Sequence, residues 1–149
     1  GGNGTGRGIA LHESFRSTVG LVVDVEVDDA RRIVLKRVVA VIVCGTVVNP
    51  RLVEAQVQGA ILFGLTAASF GDIEFADGRV VQDNFDGYDM LKLATAPAID
   101  VHLMANAELP GGVGEPGTPP AAPALANAIF AATGERIRQL PVSKSGFTV

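Results

Sequence analysis

The apolar and polar positions of this chain alternate with a period of two in several segments. Between Val23 and Val27 they alternate one by one, which predicts a half-buried strand within residues 19–29. The run IVLKRVVAVIV at residues 33–43 is too apolar for an edge strand and predicts a central one. A third alternating run predicts a strand over residues 98–106.

The pattern changes to a helical spacing after the second of these strands. Apolar residues recur at 53, 57, 60, 61, 64 and 65, which predicts a helix over residues 52–68 that begins close to Pro50. Gly59 and Gly64 fall inside this helix, where each costs about 1 kcal/mol relative to alanine. We therefore expect another segment to pack closely against that face.

The remaining elements follow from turn and helix-end signals. Asp77-Gly78 between alternating runs predicts a hairpin within residues 72–83, and residues 84–97 read as an irregular loop with one helical turn. An Ala-rich helix is predicted to begin between residues 119 and 123 and to run to Thr133, where Gly134 ends it.

Strands and helices that mix without strict βαβ alternation predict an α+β fold, with a mixed or antiparallel sheet and two main helices. The chain has 149 residues, of which 48% are apolar, so one domain over residues 1–149 with a real core is expected. The glycine-dense residues 1–8 predict a flexible lead, and residues 135–149 are expected to be loosely held. The chain reads as a piece of a longer protein.

Charge and reactive residues exclude several classes of function. Twelve basic against sixteen acidic residues, without a basic run longer than two, argue against nucleic acid as a partner. The single cysteine, Cys44, excludes an internal disulfide framework and is expected to be a small buried hydrophobe. His12 and His102 lack zinc-site spacing, and Ser14 and Ser17, without a G-x-S-x-G frame, predict a solvated turn. No apolar run is long enough to predict a membrane span.

One loop concentrates the candidate chemistry. Residues 111–120, GGVGEPGTPP, hold a single charged group, Glu115, among glycines and prolines just before the second helix. The loop also spells G-x-G-x-x-G, but Pro116, Pro119 and Pro120 remove the N–H donors that a dinucleotide site needs. Two interpretations of Glu115 stay open at this point: an exposed loop carboxylate, or a rigidly mounted general base.

Three segments resemble the C-terminal part of the large, molybdenum-binding subunit of the xanthine oxidase family. They are GRGIALHESF at residues 6–15, VVNP followed by QVQGAILFGL at residues 47–65, and GGVGEPGTPPAAPALANAIFAATG at residues 111–134. The similarity is greatest to the branch of the isoquinoline 1-oxidoreductase β-subunit and aldehyde oxidase, and it runs over about residues 6–140.

This resemblance implies an oxidoreductase that hydroxylates an N-heteroaromatic or aldehyde carbon with oxygen derived from water, with Glu115 as general base. It implies a molybdenum–pyranopterin cofactor, in the form of molybdopterin cytosine dinucleotide. Gln56 is implied to contact the metal's oxygen ligand or the pterin, although a packing role stays open. Gly112, Val113 and Gly114 are implied to line the cofactor cleft, and no residue of the chain is implied as a metal ligand.

The implied partners are the rest of the molybdenum-binding subunit, a small subunit that carries the iron–sulfur clusters, and a small-molecule substrate. Val43 stands where the family usually has aspartate, and the family's other cofactor loops belong to an earlier part of the subunit. The isolated chain is therefore expected to hold no cofactor and to be inactive. A non-catalytic binding or scaffold domain that keeps the fold is the alternative. Neither the substrate nor the compartment, cytoplasmic or periplasmic in a bacterial-type protein, follows from the sequence.

Overall fold

A four-stranded sheet carries both long helices on one of its faces. The computed structural model describes residues 4–104 and 106–149. The elements are β1 (Gly4–Ser14), β2 (Ser17–Val27), β3 (Ile33–Val43), α1 (Pro50–Phe70), β4 (Phe75–Ala76), β5 (Arg79–Val80), β6 (Ala98–Leu103) and α2 (Ala121–Thr133). Short 3-10 turns cover Phe85–Gly87 and Val142–Ser145. The predicted α+β class with two main helices is confirmed.

The sheet is mixed, with the strand order β1-β2-β3-β6. β1, β2 and β3 are antiparallel neighbours, and β6 lies parallel to β3. The predictions of a strand at 19–29 and of an inner strand at 33–43 are confirmed, because β3 has a partner on each side. The strand predicted over 98–106 ends earlier, at Leu103, and Ala105 of that range lies outside the described residues.

The prediction of a flexible lead over residues 1–8 is wrong for residues 4–8, and residues 1–3 lie outside the described part of the chain. Residues 4–8 begin β1, which pairs with β2 along its whole length. The glycines at alternate positions serve close packing. A Cβ added at Gly4, Gly6 or Gly8 would overlap backbone carbonyl oxygens of α2. The backbones of the strand and the helix can therefore be in direct contact only because these three positions carry no side chain.

Helix α1 is longer than predicted at both ends. Asn49 caps it, because its side-chain oxygen accepts a hydrogen bond from the Leu52 N–H at 3.2 Å, and Pro50 occupies the first turn. The expected close contact exists at Gly64, where an added Cβ would lie 2.6 Å from the Thr118 carbonyl oxygen. At Gly59, by contrast, an added Cβ would meet no other atom within 4 Å.

Helix α2 agrees with its prediction at both ends. It begins at Ala121, and its C-cap Gly134 adopts φ 75° while its N–H donates to the Phe130 carbonyl oxygen. The apolar core lies between the two helices and the inner sheet face. Its largest fully buried members include Leu21, Ile42, Ile61, Leu65, Leu125 and Ile129.

The prediction of a loosely held tail at residues 135–149 is wrong. Phe147 is only 1% exposed, and the Arg31 guanidinium lies 4.0 Å from the centre of its ring. Arg31 also forms a bidentate pair with Glu135, which lowers the pKa of that carboxyl, and donates to the Ser145 carbonyl oxygen at 2.8 Å. Backbone hydrogen bonds between Thr148 and residues 31 and 33 hold the tail as well, so it is fixed by contacts distant in sequence.

The hairpin and the environment of Cys44 agree with their predictions. The hairpin within residues 72–83 is confirmed as β4 and β5, with Asp77 and Gly78 both at positive φ, and the following loop contains one 3-10 turn. Cys44 is buried, as expected, and burial raises the pKa of its thiol. None of the helices in the described residues combines the length and apolarity needed to cross a bilayer.

Candidate functional site

The glycine-rich end of the 111–120 loop is held against the sheet by backbone hydrogen bonds. The Gly111 N–H donates to the Cys44 carbonyl oxygen at 2.9 Å, and the Gly112 N–H donates to the Phe15 carbonyl oxygen at 2.8 Å. A Cβ added at Gly112 would lie 2.8 Å from the Phe15 Cβ, so the fit leaves no room for a side chain. The loop is thus fixed to the end of β3 and to the β1–β2 turn.

The proline-rich end of the loop is held against α1. The Thr118 hydroxyl donates to the Ala60 carbonyl oxygen at 3.0 Å, and the Thr118 N–H donates to the Glu115 carbonyl oxygen at 2.9 Å. Gly117 is buried, and an added Cβ there would lie 3.1 Å from the Ala60 Cβ. Glu115 therefore lies on a segment that is anchored on both sides, with its side chain exposed.

A groove of about 690 Å³ opens between β1, α1 and this loop. The residues that line it are His12, Ser14, Phe15, Gln56, Gly59, Ala60, Phe63, Gly114, Glu115, Thr118 and Pro119. Gln56 comes close to the loop, since a Cβ added at Gly114 would lie 3.5 Å from its side-chain Nε2. The open side of Gly59 faces this space, which explains why nothing packs on that glycine.

The five residues predicted for the site do not all meet. Gln56, Gly114 and Glu115 line one groove, although they lie nearly 60 residues apart in sequence. Gly112 instead packs on Phe15, and Val113 is half-buried against the hydrophobic core. Neither of these two is among the lining residues of the groove.

The sequence interpretation missed the wall that β1 contributes. His12 and Ser14 lie on the inner face of β1, in register with Val19 and Ser17 of β2. The signal that could have revealed them is the alternation from Gly4 through Gly8 to Ser14, which has the period of a strand.

The prediction that Ser14 and Ser17 belong to a solvated turn is wrong. The turn consists of Phe15 and Arg16, which have φ of 53° and 61°. Both serine hydroxyls are buried, and within the described residues neither has a hydrogen-bond partner. A buried hydroxyl without a partner costs about 1–3 kcal/mol, so such groups call for explanation by a bound group or water.

The groove has a simple charge distribution. Glu115 is the one carboxylate among its lining residues, and His12 is the one lining residue able to become cationic. Asp24, whose pKa is lowered by hydrogen bonds from Arg7, is not among the residues that line the groove. Across the described ranges, 4–104 and 106–149, no three His, Cys, Asp or Glu side chains are placed to hold a metal ion.

The lining residues fit a flat ring system with polar edges. Phe15 and Phe63 are 60% and 71% exposed and present apolar surface to the groove. Gly59 and Gly114 leave open backbone that a planar group can approach, and the Ser14 hydroxyl has no protein partner among the described residues. A pyranopterin has this shape and this mixture of donors and acceptors.

Comparison with known proteins agrees with this fit. Residues 3–97 match the family model of the molybdopterin cofactor-binding domain. Isoquinoline 1-oxidoreductase subunit beta of Brevundimonas diminuta is 32% identical over 142 residues, which are 95% of this chain and 18% of that protein. A protein of Gluconacetobacter polyoxogenes, named membrane-bound aldehyde dehydrogenase (pyrroloquinoline-quinone), is 39% identical over 122 residues, 81% of this chain and 16% of that one.

Among solved structures, quinoline 2-oxidoreductase from Pseudomonas putida 86 superposes with a TM-score of 0.78 at 23% identity, over 85% of this chain and 17% of that one. The chain belongs to the family of molybdopterin cofactor-binding domains, and the resemblance to molybdenum-binding subunits of the xanthine oxidase family is confirmed. It spans less than a fifth of the length of these relatives. The family match includes Gln56 and ends before Glu115.

Proposed function

We propose that this chain is the part of a molybdenum hydroxylase that supplies the general base, Glu115, for hydroxylation of an N-heteroaromatic or aldehyde carbon with water-derived oxygen. The single observation that carries the proposal is the position of Glu115. It stands on a loop anchored to the sheet and to α1, beside Gln56, in a groove whose lining suits a flat cofactor. The homologues are molybdenum-dependent oxidoreductases of the xanthine oxidase family.

The cofactor and the residues of this chain have separate roles in the proposed reaction. The molybdenum–pyranopterin, proposed here as the cytosine dinucleotide form, supplies the two-electron redox chemistry when it is bound. The Glu115 carboxylate accepts the proton that water must lose as its oxygen becomes bonded to carbon. A positioned base of this kind contributes about 10²- to 10⁴-fold in rate. The anchored loop keeps the carboxylate in place, so little ordering is left for the reaction itself.

Gln56 complements this base. Its neutral amide can donate and accept a hydrogen bond at once, and its nitrogen lies beside Gly114, next to the carboxylate in sequence. We assign it to the polar edge of the cofactor, with Gly114 as the open backbone that the ring approaches. The rest of the molybdenum-binding subunit and an iron–sulfur subunit are the proposed partners.

Glu115→Gln in the intact, assembled enzyme tests the role of the base. The substitution keeps the size of the side chain and removes its ability to take a proton. We expect kcat to fall by about 100-fold or more, with molybdenum per subunit unchanged. Glu108→Gln, on an exposed residue that does not line the groove, is the matched control. Full turnover in the Glu115 variant would contradict the proposal and favour the scaffold alternative.

The isolated chain is proposed to be inactive because it provides three walls of a wide, open groove and no metal ligands among its described residues. Metal analysis of the purified 149-residue chain is expected to find molybdenum near zero. Stoichiometric metal in that preparation would refute this part of the proposal and leave the role of Glu115 untouched.

A further inference from the structure

The end of β1 passes beyond the helix that covers its first half. Gly8 lies directly under α2, because an added Cβ there would overlap the Ala124 backbone. Helix α2 begins at Ala121, so the inner face of β1 after this point emerges from beneath the helix. His12 and Ser14 occupy this uncovered stretch, and their side chains line the groove that also contains Glu115.

Neither side chain has a hydrogen-bond or ion-pair partner among the described residues. The Ser14 hydroxyl is buried and has no hydrogen-bond partner in the part of the chain that the structure describes. No hydrogen bond or ion pair joins the His12 ring to any residue of the described ranges. Apart from Ser17, which pairs with Ser14 from β2, the inner sheet face is occupied by apolar residues and glycines. The polar groups of this face are therefore confined to the end of β1 and the adjoining start of β2.

The groove thus has polar groups on all three of its walls, together with exposed apolar surface. His12 and Ser14 lie on the strand, and Gln56 on the helix stands with Glu115 on the loop. Phe15 and Phe63 supply the exposed apolar surface. A flat ring with polar atoms on opposite edges can meet the polar groups of the strand on one edge and those of the helix and the loop on the other, and rings of this kind stack on phenylalanine.

We propose that His12 and Ser14 hydrogen-bond one polar edge of a planar N-heteroaromatic ring that lies in this groove, with its other edge toward Gln56 and Glu115. The inference rests on the proposed function, because it takes the groove as the place where that chemistry occurs. The ring belongs either to the pterin of the cofactor, which offers ring nitrogens and exocyclic polar atoms, or to an N-heteroaromatic substrate, which offers a ring nitrogen.

The test uses His12→Ala and Ser14→Ala in the intact, assembled enzyme. Molybdenum and pterin per subunit are measured first, and KM and kcat afterwards on fully loaded enzyme. If the ring is the pterin, both variants lose cofactor. If the ring belongs to the substrate, the cofactor stays at full content and KM rises roughly 3- to 10-fold for each lost hydrogen bond, with kcat little changed.

Matched controls are available in the same chain. His102→Ala removes the only other histidine, which is exposed on the outer face of the sheet. Ser69→Ala removes another buried hydroxyl without a partner among the described residues, on α1 and away from the groove lining. Both controls are expected to keep cofactor content and KM. The conservative variant His12→Gln retains a hydrogen-bond donor and is therefore expected to restore most of the cofactor content or the KM that His12→Ala changes. It replaces His12→Ala if that variant fails to assemble.

The inference is overturned if the His12 and Ser14 variants match their controls in both cofactor content and KM. This outcome is distinct from failure of the proposed base, which is judged by kcat of Glu115→Gln alone. A Glu115 variant with full turnover, together with His12 variants of raised KM, would leave the ring-binding wall in place and remove only the base.

Discussion

The backbone contact between β1 and α2 leads to a sharp prediction for Gly8→Ala. A Cβ at Gly8 would overlap the Ala124 carbonyl oxygen and the Ala128 nitrogen, and would lie 2.8 Å from the Asn127 carbonyl carbon. All three atoms belong to the backbone of one helix, so none can rotate away as a side-chain end could. The helix itself has to move off the strand to make room.

The expected cost follows from this geometry. Overpacking a well-filled core costs typically 1–3 kcal/mol, and a clash with an entire helix backbone belongs at the upper end, about 3 kcal/mol. For a chain of this length 1 kcal/mol corresponds to about 2–4 °C, so the melting temperature should fall by roughly 6–12 °C. The movement also shifts the N-terminus of α2 and with it the loop that carries Glu115.

Urea and thermal unfolding of the 149-residue chain measure the effect, with Gly20→Ala on β2 as the control. A Cβ at Gly20 would lie 3.4 Å from the Leu11 Cδ1, which is the end of an exposed, flexible side chain. The control should be neutral, or stabilised by up to about 1 kcal/mol through the higher strand preference of alanine. Equal midpoints for Gly8→Ala and wild type, with unchanged denaturant slopes, would refute the close packing of α2 on β1.

Further predictions concern the tail, the cysteine and a surface ion pair. Phe147→Ala should lower the free energy of unfolding by about 3–5 kcal/mol, whereas a loosely held tail would give almost no change in urea unfolding. The Cys44 thiol, whose pKa is raised by burial, should react slowly with iodoacetamide in the folded chain and rapidly in urea. Since Arg7 lowers the pKa of Asp24, wild type should be more stable than Asp24→Asn above the usual aspartate pKa and should lose this advantage as the pH falls through the lowered value. A pH-independent difference between the two unfolding curves would contradict this.

Most elements with a period of their own could be predicted from the sequence. Strands β2 and β3, both helices and the Asp77-Gly78 hairpin carry local signals, because alternation, helical spacing, capping residues and positive-φ residues act within a few positions. Strand β1 was missed because its first three inward positions are glycines, which carry no hydrophobic signal, and its last two are polar. The function of the glycines is visible only when α2 lies against them.

The candidate site, too, could be predicted only in part from the sequence. The rigidity of the 111–120 loop and the isolation of Glu115 within it follow from the glycines and prolines of that one segment. Gln56 came from the resemblance to the family and lies in the same groove as Glu115. His12 and Ser14 had no local pattern of a binding site, because a histidine and a serine two residues apart are unremarkable in any strand.

The sequence by itself thus determined the local elements and the restricted backbone of the loop that carries Glu115. Both depend on the backbone preferences of residues that are neighbours in sequence. Only the tertiary structure decided which groups face that carboxylate. Residues from β1, α1 and the loop meet because the strand register directs His12 and Ser14 inward and because α2 starts too late to cover them. Such a meeting depends on contacts across about a hundred residues of chain, which no short-range pattern encodes.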